Sequence, residues 1–153
     1  MIIDLSRLAP DGETFEGEEP AGVWALEHDV DVRADRPIHY RFRAFVVSGE
    51  LLVKGCLESD VSFRCSRCGE FVSRHLAEPA FECAIELDSA AEDVDLTAEI
   101  RETMILCFPS FPLCREDCKG LCAQCGKNLN GGACGCRVPE EPRWKALDGL
   151  SLN

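Results

Sequence analysis

Between Ile38 and residue 87 the apolar and polar side chains alternate with a period of two. In the run Ile38–Val47, Tyr40, Phe42 and Ala44 share one parity, and His39, Arg41 and Arg43 take the other. That pattern predicts a half-buried strand. Ser48-Gly49-Glu50 reads as a turn into a strand over residues 51–55. Residues 57–63 read as a further strand, with Leu57, Val61 and Phe63 on one face. Residues 71–76 and 81–87 predict two more, the latter placing Cys83 on its apolar side. Short strands with tight connections favour antiparallel pairing. The segment from Pro10 to Ala21 is rich in Gly, Pro and Glu and reads as a loop. The period changes once. Leu96, Ile100, Met104 and Cys107 recur at helical spacing, Asp95 can cap the first turn, and Pro109 and Pro112 stop it. One apolar helical stripe can cover one face of a sheet, so the expected class is α+β, an antiparallel sheet with one packed helix near residues 95–108. Glu99 and Glu102 on that helix read as surface carboxylates.

Charge and cysteine content divide the chain. The 153 residues carry 28 Asp and Glu against 16 Lys and Arg, a net charge of −12. Residues 1–111 hold 23 of the acids and 10 of the bases, whereas residues 112–153 are close to neutral. This predicts an acidic β domain over 1–111 and a second module over 112–153. A uniformly basic nucleic-acid wrapper is excluded, because most of the surface would repel phosphate. No run of apolar residues reaches the ~20 needed to cross a bilayer, and the N-terminus lacks the pattern of a secretory leader. The expectation is a cytoplasmic protein with no membrane partner, whose thiols stay reduced.

There are 11 cysteines, an odd number that forbids complete pairing within the chain. Cys65 and Cys68 form a CxxC followed by Gly69, and Cys122 and Cys125 form another followed by Gly126. A two-residue spacer lets both sulfurs face one ion, and the glycine permits the tight turn. A strand-like segment follows Cys68, which favours a hairpin knuckle over a thioredoxin-like redox pair. Cys134 and Cys136 complete a second set of four with Cys122 and Cys125. Few apolar residues accompany them, so a metal would have to supply folding energy. Zinc suits such a donor set; an iron–sulfur cluster or an oxidised thiol pair are the other possibilities. Joining Cys65 and Cys68 to Cys114 and Cys118 makes a second four-cysteine site and clamps the tail to the sheet. The eight ligands also divide another way, as Cys114, Cys118, Cys122 and Cys125 against Cys65, Cys68, Cys134 and Cys136. A third arrangement has one zinc and several plain thiols. Cys56, Cys83 and Cys107 read as small hydrophobes. No Ser–His–Asp or Cys–His order and no phosphate loop is present. A closed four-thiolate site leaves no position for water, so the sequence points to a protein that is not an enzyme and takes no small-molecule substrate.

The segment Leu113-Cys114-Arg115-Glu116-Asp117-Cys118-Lys119-Gly120-Leu121-Cys122-Ala123-Gln124-Cys125-Gly126-Lys127-Asn128-Leu129-Asn130 closely resembles the signature of the bacterial YceD/DUF177 family. The likeness continues through Cys134-Gly135-Cys136 and Pro142-Arg143-Trp144-Lys145-Ala146-Leu147. Upstream, Gly55 through Cys65-Ser66-Arg67-Cys68 resembles the family's strand and CxRC element. The stretch from Asp95 to Pro109 resembles its helix and proline turn. The resemblance covers most of residues 45–147; the first 30 residues match loosely. It implies a role in the synthesis, processing or stability of large-subunit ribosomal RNA, with the family's cysteine positions falling on the eight clustered cysteines and no catalytic residue carried over.

The expected partners are then ribosomal RNA or large-subunit assembly components. Direct RNA contact needs a local basic face. The candidates are Arg41 and Arg43 on one strand, Arg64 and Arg67 beside the first CxxC, and Lys119, Lys127 and Arg143 in the second module. The alternative is an acidic adaptor that recognises a basic ribosomal protein or an assembly enzyme.

Overall fold

The computed structural model describes residues 1–88 and 92–137. Its centre is a long hairpin. Strand β4 (Ile38–Val47) turns into β5 (Glu50–Arg64) through Ser48 and Gly49, at φ +54° and +86°. Two consecutive positive φ values are what a tight two-residue turn needs to match strand twist. Strand β6 (Phe71–Glu86) runs antiparallel to β5 along its whole length. On the other edge β4 pairs with Glu50–Glu58 of β5, and the two-residue strand β3 (Val32–Arg33) pairs farther along, opposite Ser62 and Phe63.

The expected strands at 51–55 and 57–63 are one continuous strand, and so are those at 71–76 and 81–87. The break in pattern that separated the second pair is a bulge. Gly55 pairs with Phe81 but Leu57 pairs with Glu78, so Cys56 faces two residues, Pro79 and Ala80. An inserted residue reverses which parity faces inward. On β6 the buried position is accordingly even before the bulge, at Leu76, and odd after it, at Phe81. Pro79 has no N–H for the ladder, and the Ala80 N–H is taken by the Glu78 carboxylate at 2.9 Å. Glycine at 55 has a separate cause. A Cβ there would lie 2.0 Å from the Arg41 carbonyl oxygen and 2.8 Å from Phe42 Cα.

The loop expected between Pro10 and Ala21 is instead largely a strand. Strand β2 (Glu13–Glu19) pairs with β4 from Ala44 to Ile38. Its composition is poor for a strand, but its side chains answer those of its neighbour. Glu16 meets Arg41 at 3.1 Å, Glu18 meets His39 at 3.6 Å, and Gly17 leaves room for the Tyr40 ring. Tertiary pairing overrides propensity here, as it often does in sheets. Two short strands, β1 (Ile2–Asp4) and β7 (Asp93–Asp95), form a separate antiparallel pair.

Helix α1 (Thr97–Leu106) covers the inner face of the sheet. Leu96, just before it, and Ile100 and Met104 within it are fully buried, the stripe read from the sequence. Asp95 accepts the Thr97 N–H at 2.9 Å, holding the entry to the first turn. Against the helix end, Phe108 contacts Trp24 and Phe63 at ring separations of 5.7 and 5.0 Å. Trp24 is buried and donates its indole N–H to the Arg36 carbonyl, so it belongs to the core. After Phe108 the chain returns to the tip of the β5–β6 hairpin, where Ser66 N–H donates to the Pro112 carbonyl at 2.8 Å. Among the described residues no helix is long and apolar enough to cross a membrane.

The close approach at Gly55 makes a direct prediction. Gly55→Ala is expected to lower stability by about 1–3 kcal/mol, the usual cost of overpacking. Gly22→Ala, with open space at its Cβ position, is expected to stay within about 0.5 kcal/mol. Urea unfolding of the two variants checks both.

Candidate metal centres

The tip of the β5–β6 hairpin is the first CxxC. Cys65 N–H donates to the Glu70 carbonyl at 2.8 Å, and Gly69 N–H donates to the Cys65 carbonyl at 2.9 Å. Gly69 sits at φ +75°. The same pattern recurs fifty-seven positions later, as expected from the repeated motif. Cys122 N–H donates to the Lys127 carbonyl, Gly126 N–H donates to the Cys122 carbonyl, both at 2.8 Å, and Gly126 sits at φ +71°. Both CxxC-Gly segments therefore fold as knuckles that turn two thiols to one side.

Each knuckle meets a second pair of cysteines. The sulfurs of Cys65, Cys68, Cys114 and Cys118 all lie within 4.8 Å of one another, and so do those of Cys122, Cys125, Cys134 and Cys136. Among the three arrangements left open by the sequence, this is the one that joins the hairpin tip to Cys114 and Cys118 and leaves Cys134 and Cys136 with the second knuckle. In the first group Cys65 Sγ and Cys118 Sγ are 3.8 Å apart, and Cys68 Sγ and Cys114 Sγ are 3.6 Å apart. A disulfide needs about 2.05 Å. A tetrahedron with metal–sulfur bonds of about 2.3 Å has edges near 3.8 Å, so the sulfurs already stand at ligand spacing. Cys65, Cys68 and Cys118 are buried. In the second group Cys125 and Cys136 are exposed.

Electrostatics within each group are uneven. Burial pushes the Cys65 thiol up, but the backbone N–H groups of Cys68, Cys114 and Arg67 outweigh it and hold Cys65 at about 6. The Asn130 carboxamide leads in lowering Cys118. At Cys68 the Glu70 backbone pulls down, yet burial and the Cys65 sulfur carry the balance upward. The Cys118 sulfur, with burial, pushes Cys114 up to about 12. In the second group the backbone N–H groups of Cys125 and Gln124 bring Cys122 down to about 6, and the Cys125 and Cys134 sulfurs drive Cys136 up to about 12. Four adjacent thiolates repel one another, so some ionise and others keep their protons. A cation at the centre removes that conflict, which is the chemistry this donor set accommodates.

Three side chains tie the surroundings together. Arg67, inside the first knuckle, donates to the carbonyls of Glu116 and Cys118 at 3.1 and 3.0 Å, fastening the Cys114–Cys118 loop to the hairpin tip. Arg74 donates to the Leu113 carbonyl on the same loop. Asn130 lies in the loop between Cys125 and Cys134. Its Nδ2 reaches Cys118 Sγ at 3.3 Å, and its Oδ1 accepts from Lys119 N–H and from Arg115, both at 2.9 Å. Sequence reading passed over Asn130. The available signal was an amide-rich Asn128-Leu129-Asn130-Gly131 run beside the cysteines, a composition that favours side-chain-to-backbone turns.

The basic residues proposed for RNA contact are mostly engaged within the chain. Arg41 pairs with Glu16, Arg43 donates to the Asp11 carbonyl, Arg64 pairs with Asp31 at 3.2 Å, and Lys127 donates to the Ala133 carbonyl at 3.0 Å. Lys119 is exposed. Arg143 and Trp144 lie outside the described residues. Cys83 and Cys107 are half-buried, but Cys56 is exposed on the outer face of the sheet, against the reading of it as a small hydrophobe. Burial leads in raising Cys83 to about 11. Glu99 also departs from its surface reading. It is half-buried, and its Oε2 is enclosed without a hydrogen-bond partner among the described residues.

Comparison with known proteins places these cysteines in a family. The model described as "Large ribosomal RNA subunit accumulation protein YceD" matches residues 53–151, a span that begins in β5 and includes all eight clustered cysteines. An uncharacterized protein of Mycobacterium leprae is 33% identical over 138 residues, covering 74% of this chain. The chain spans 64% of that relative's length. Uncharacterized proteins of Mycobacterium bovis and Mycobacterium tuberculosis are 30% identical across 96% of this chain and 79% of their own. No solved structure matches the chain. With the knuckles, their partner cysteines and the connecting helix all inside the matched span, the chain belongs to the YceD family of large ribosomal RNA subunit accumulation proteins.

Proposed function

We propose that this protein is a non-enzymatic, cytoplasmic factor supporting large-subunit ribosomal RNA synthesis, processing or stability, held in shape by two structural four-cysteine zinc sites. The observation that carries the functional reading is the family match across residues 53–151. The zinc reading rests on sulfur spacing: separations of 3.8 and 3.6 Å agree with a tetrahedron of zinc–thiolate bonds. Four protein thiolates fill the coordination shell, so zinc here would fasten chain segments and leave no place for a reacting water. Each such site carries about −2, which adds to an already acidic protein.

The destination of the basic side chains favours recruitment of a basic protein over direct RNA contact. Arg41, Arg64, Arg67 and Lys127 face the chain's own carboxylates and carbonyls. Glu16, Glu18, Glu58, Asp60 and Glu82 are exposed on the sheet and paired with Arg41, His39, His75 and Lys54, yet the 23 acids of residues 1–111 outnumber their 10 bases, so the excess charge there is negative. An acidic face of this kind suits a lysine- and arginine-rich ribosomal protein or an assembly enzyme with a basic patch.

Two outcomes follow. In a variant with Cys122, Cys125, Cys134 and Cys136 replaced by Ser, Zn2+ binding to the first site near pH 8 is expected to displace about two protons, from Cys68 and Cys114. Affinity then falls about 100-fold for each unit the pH is lowered, and a pH-independent affinity contradicts the reading. Crosslinking in cells, followed by identification of both RNA and protein, is expected to recover large-subunit assembly components, with protein crosslinks exceeding RNA crosslinks. Recovery of neither class removes the functional reading, and recovery of ribosomal RNA alone removes the adaptor.

A further inference from the structure

The two cysteine sites are adjacent in sequence, separated by Lys119, Gly120 and Leu121. Those three residues are paired to the loop that lies between the two halves of the second site. Lys119 N–H donates to Asn130 Oδ1, Leu129 N–H donates to the Gly120 carbonyl at 2.9 Å, and Leu121 bridges Asn128. Asn130 is itself held by its backbone N–H, which donates to Asn128 Oδ1 at 3.0 Å. From that position its carboxamide donates to the Cys118 sulfur of the first site at 3.3 Å. The loop that carries Asn130 is fixed at one end by Cys125 and at the other by Cys134. An ion that draws Cys122, Cys125, Cys134 and Cys136 together therefore also sets the donor on Cys118.

We propose that Asn130 couples the two metal sites, so that filling the second site strengthens metal binding at the first. The inference rests on the zinc reading above. A hydrogen bond to a coordinating sulfur stabilises the thiolate and fixes its direction, and removal of such an outer partner typically weakens metal affinity by about 10–100-fold. Linkage requires the effect to be mutual: the first site strengthens the second by the same factor. Asn130 acts as a positioning residue, with no contact to the metal of its own site required.

The test uses the full chain with Cd2+ as the probe, its stepwise affinities measured by chelator competition and its two sites resolved by cadmium NMR. In the parent chain, replacing Cys134 and Cys136 by Ser is expected to weaken the first site about 10-fold or more. Asn130→Ala is expected to weaken the first site similarly, and adding the Cys134 and Cys136 replacements then has little further effect. Asn130→Asp keeps the acceptor for Lys119 and Arg115 but removes the donor and places a negative charge beside Cys118. It is expected to weaken the first site at least as much as Asn130→Ala and to shift that site's cadmium resonance, while the far-ultraviolet dichroism of the sheet is kept. Two bound ions with a first-site affinity unchanged in both Asn130 variants overturns the coupling alone. Equal losses from the Cys134 and Cys136 replacements with and without Asn130 also overturn it. Fewer than two ions bound by the parent chain overturns the metal reading and the coupling with it.

Discussion

Four thiols cannot share a small volume as four thiolates without an added positive charge, and the rest of this structure is arranged around that conflict. Cys65 and Cys68 arrive on the hairpin tip, while Cys114 and Cys118 arrive on the segment after the helix, 46 to 53 positions later. Their sulfurs stand at ligand spacing with proton affinities pulled in opposite directions. A cation satisfies all four at once and in doing so closes a long loop of chain. Closing such a loop is costly in chain entropy, and a metal clip offsets that cost where the local apolar area is too small.

The sheet serves this convergence by reach and by shape. Strands β5 and β6 extend well past the end of β4, which is why their turn stands clear of the main sheet and presents a knuckle. The bulge at Pro79 and Ala80 lets so long a strand keep apolar residues inward on both sides of the irregularity. Helix α1 and the ring of Phe108 then set the direction in which the chain leaves the core, and the Ser66–Pro112 hydrogen bond docks it beside the tip. Arg67 completes the joint. A residue that looked suited to phosphate instead binds two carbonyls of the ligand loop.

Much of this was legible in the residue pattern. The parity of Tyr40, Phe42 and Ala44, the stripe of Leu96, Ile100 and Met104, and the two CxxC-Gly knuckles follow from local rules of side-chain direction and turn geometry. What local rules do not carry is partnership. Glu13–Glu19 forms a strand because Arg41 and His39 lie opposite, and nothing in its own composition signals that. The continuity of β6 was hidden by Pro79, which normally ends a strand and here occupies a bulge. The division of eight cysteines into two sets depends on where the chain returns after α1, a long-range property. The exposure of Cys56 reflects its even position on β5, whose odd positions face the core.

The physical picture joins two four-cysteine groups, the first fastening the segment after the helix to the hairpin tip, to an acidic sheet. The central claim is that eight thiols are committed to two ions. Metal analysis of the native protein combined with a thiol count tests it most directly. The account predicts two zinc ions per chain, eight protected thiols, and three open to alkylation, Cys56, Cys83 and Cys107, with exposed Cys56 reacting first. One zinc per chain, an iron cluster, or more than three reactive thiols in the native protein would contradict it.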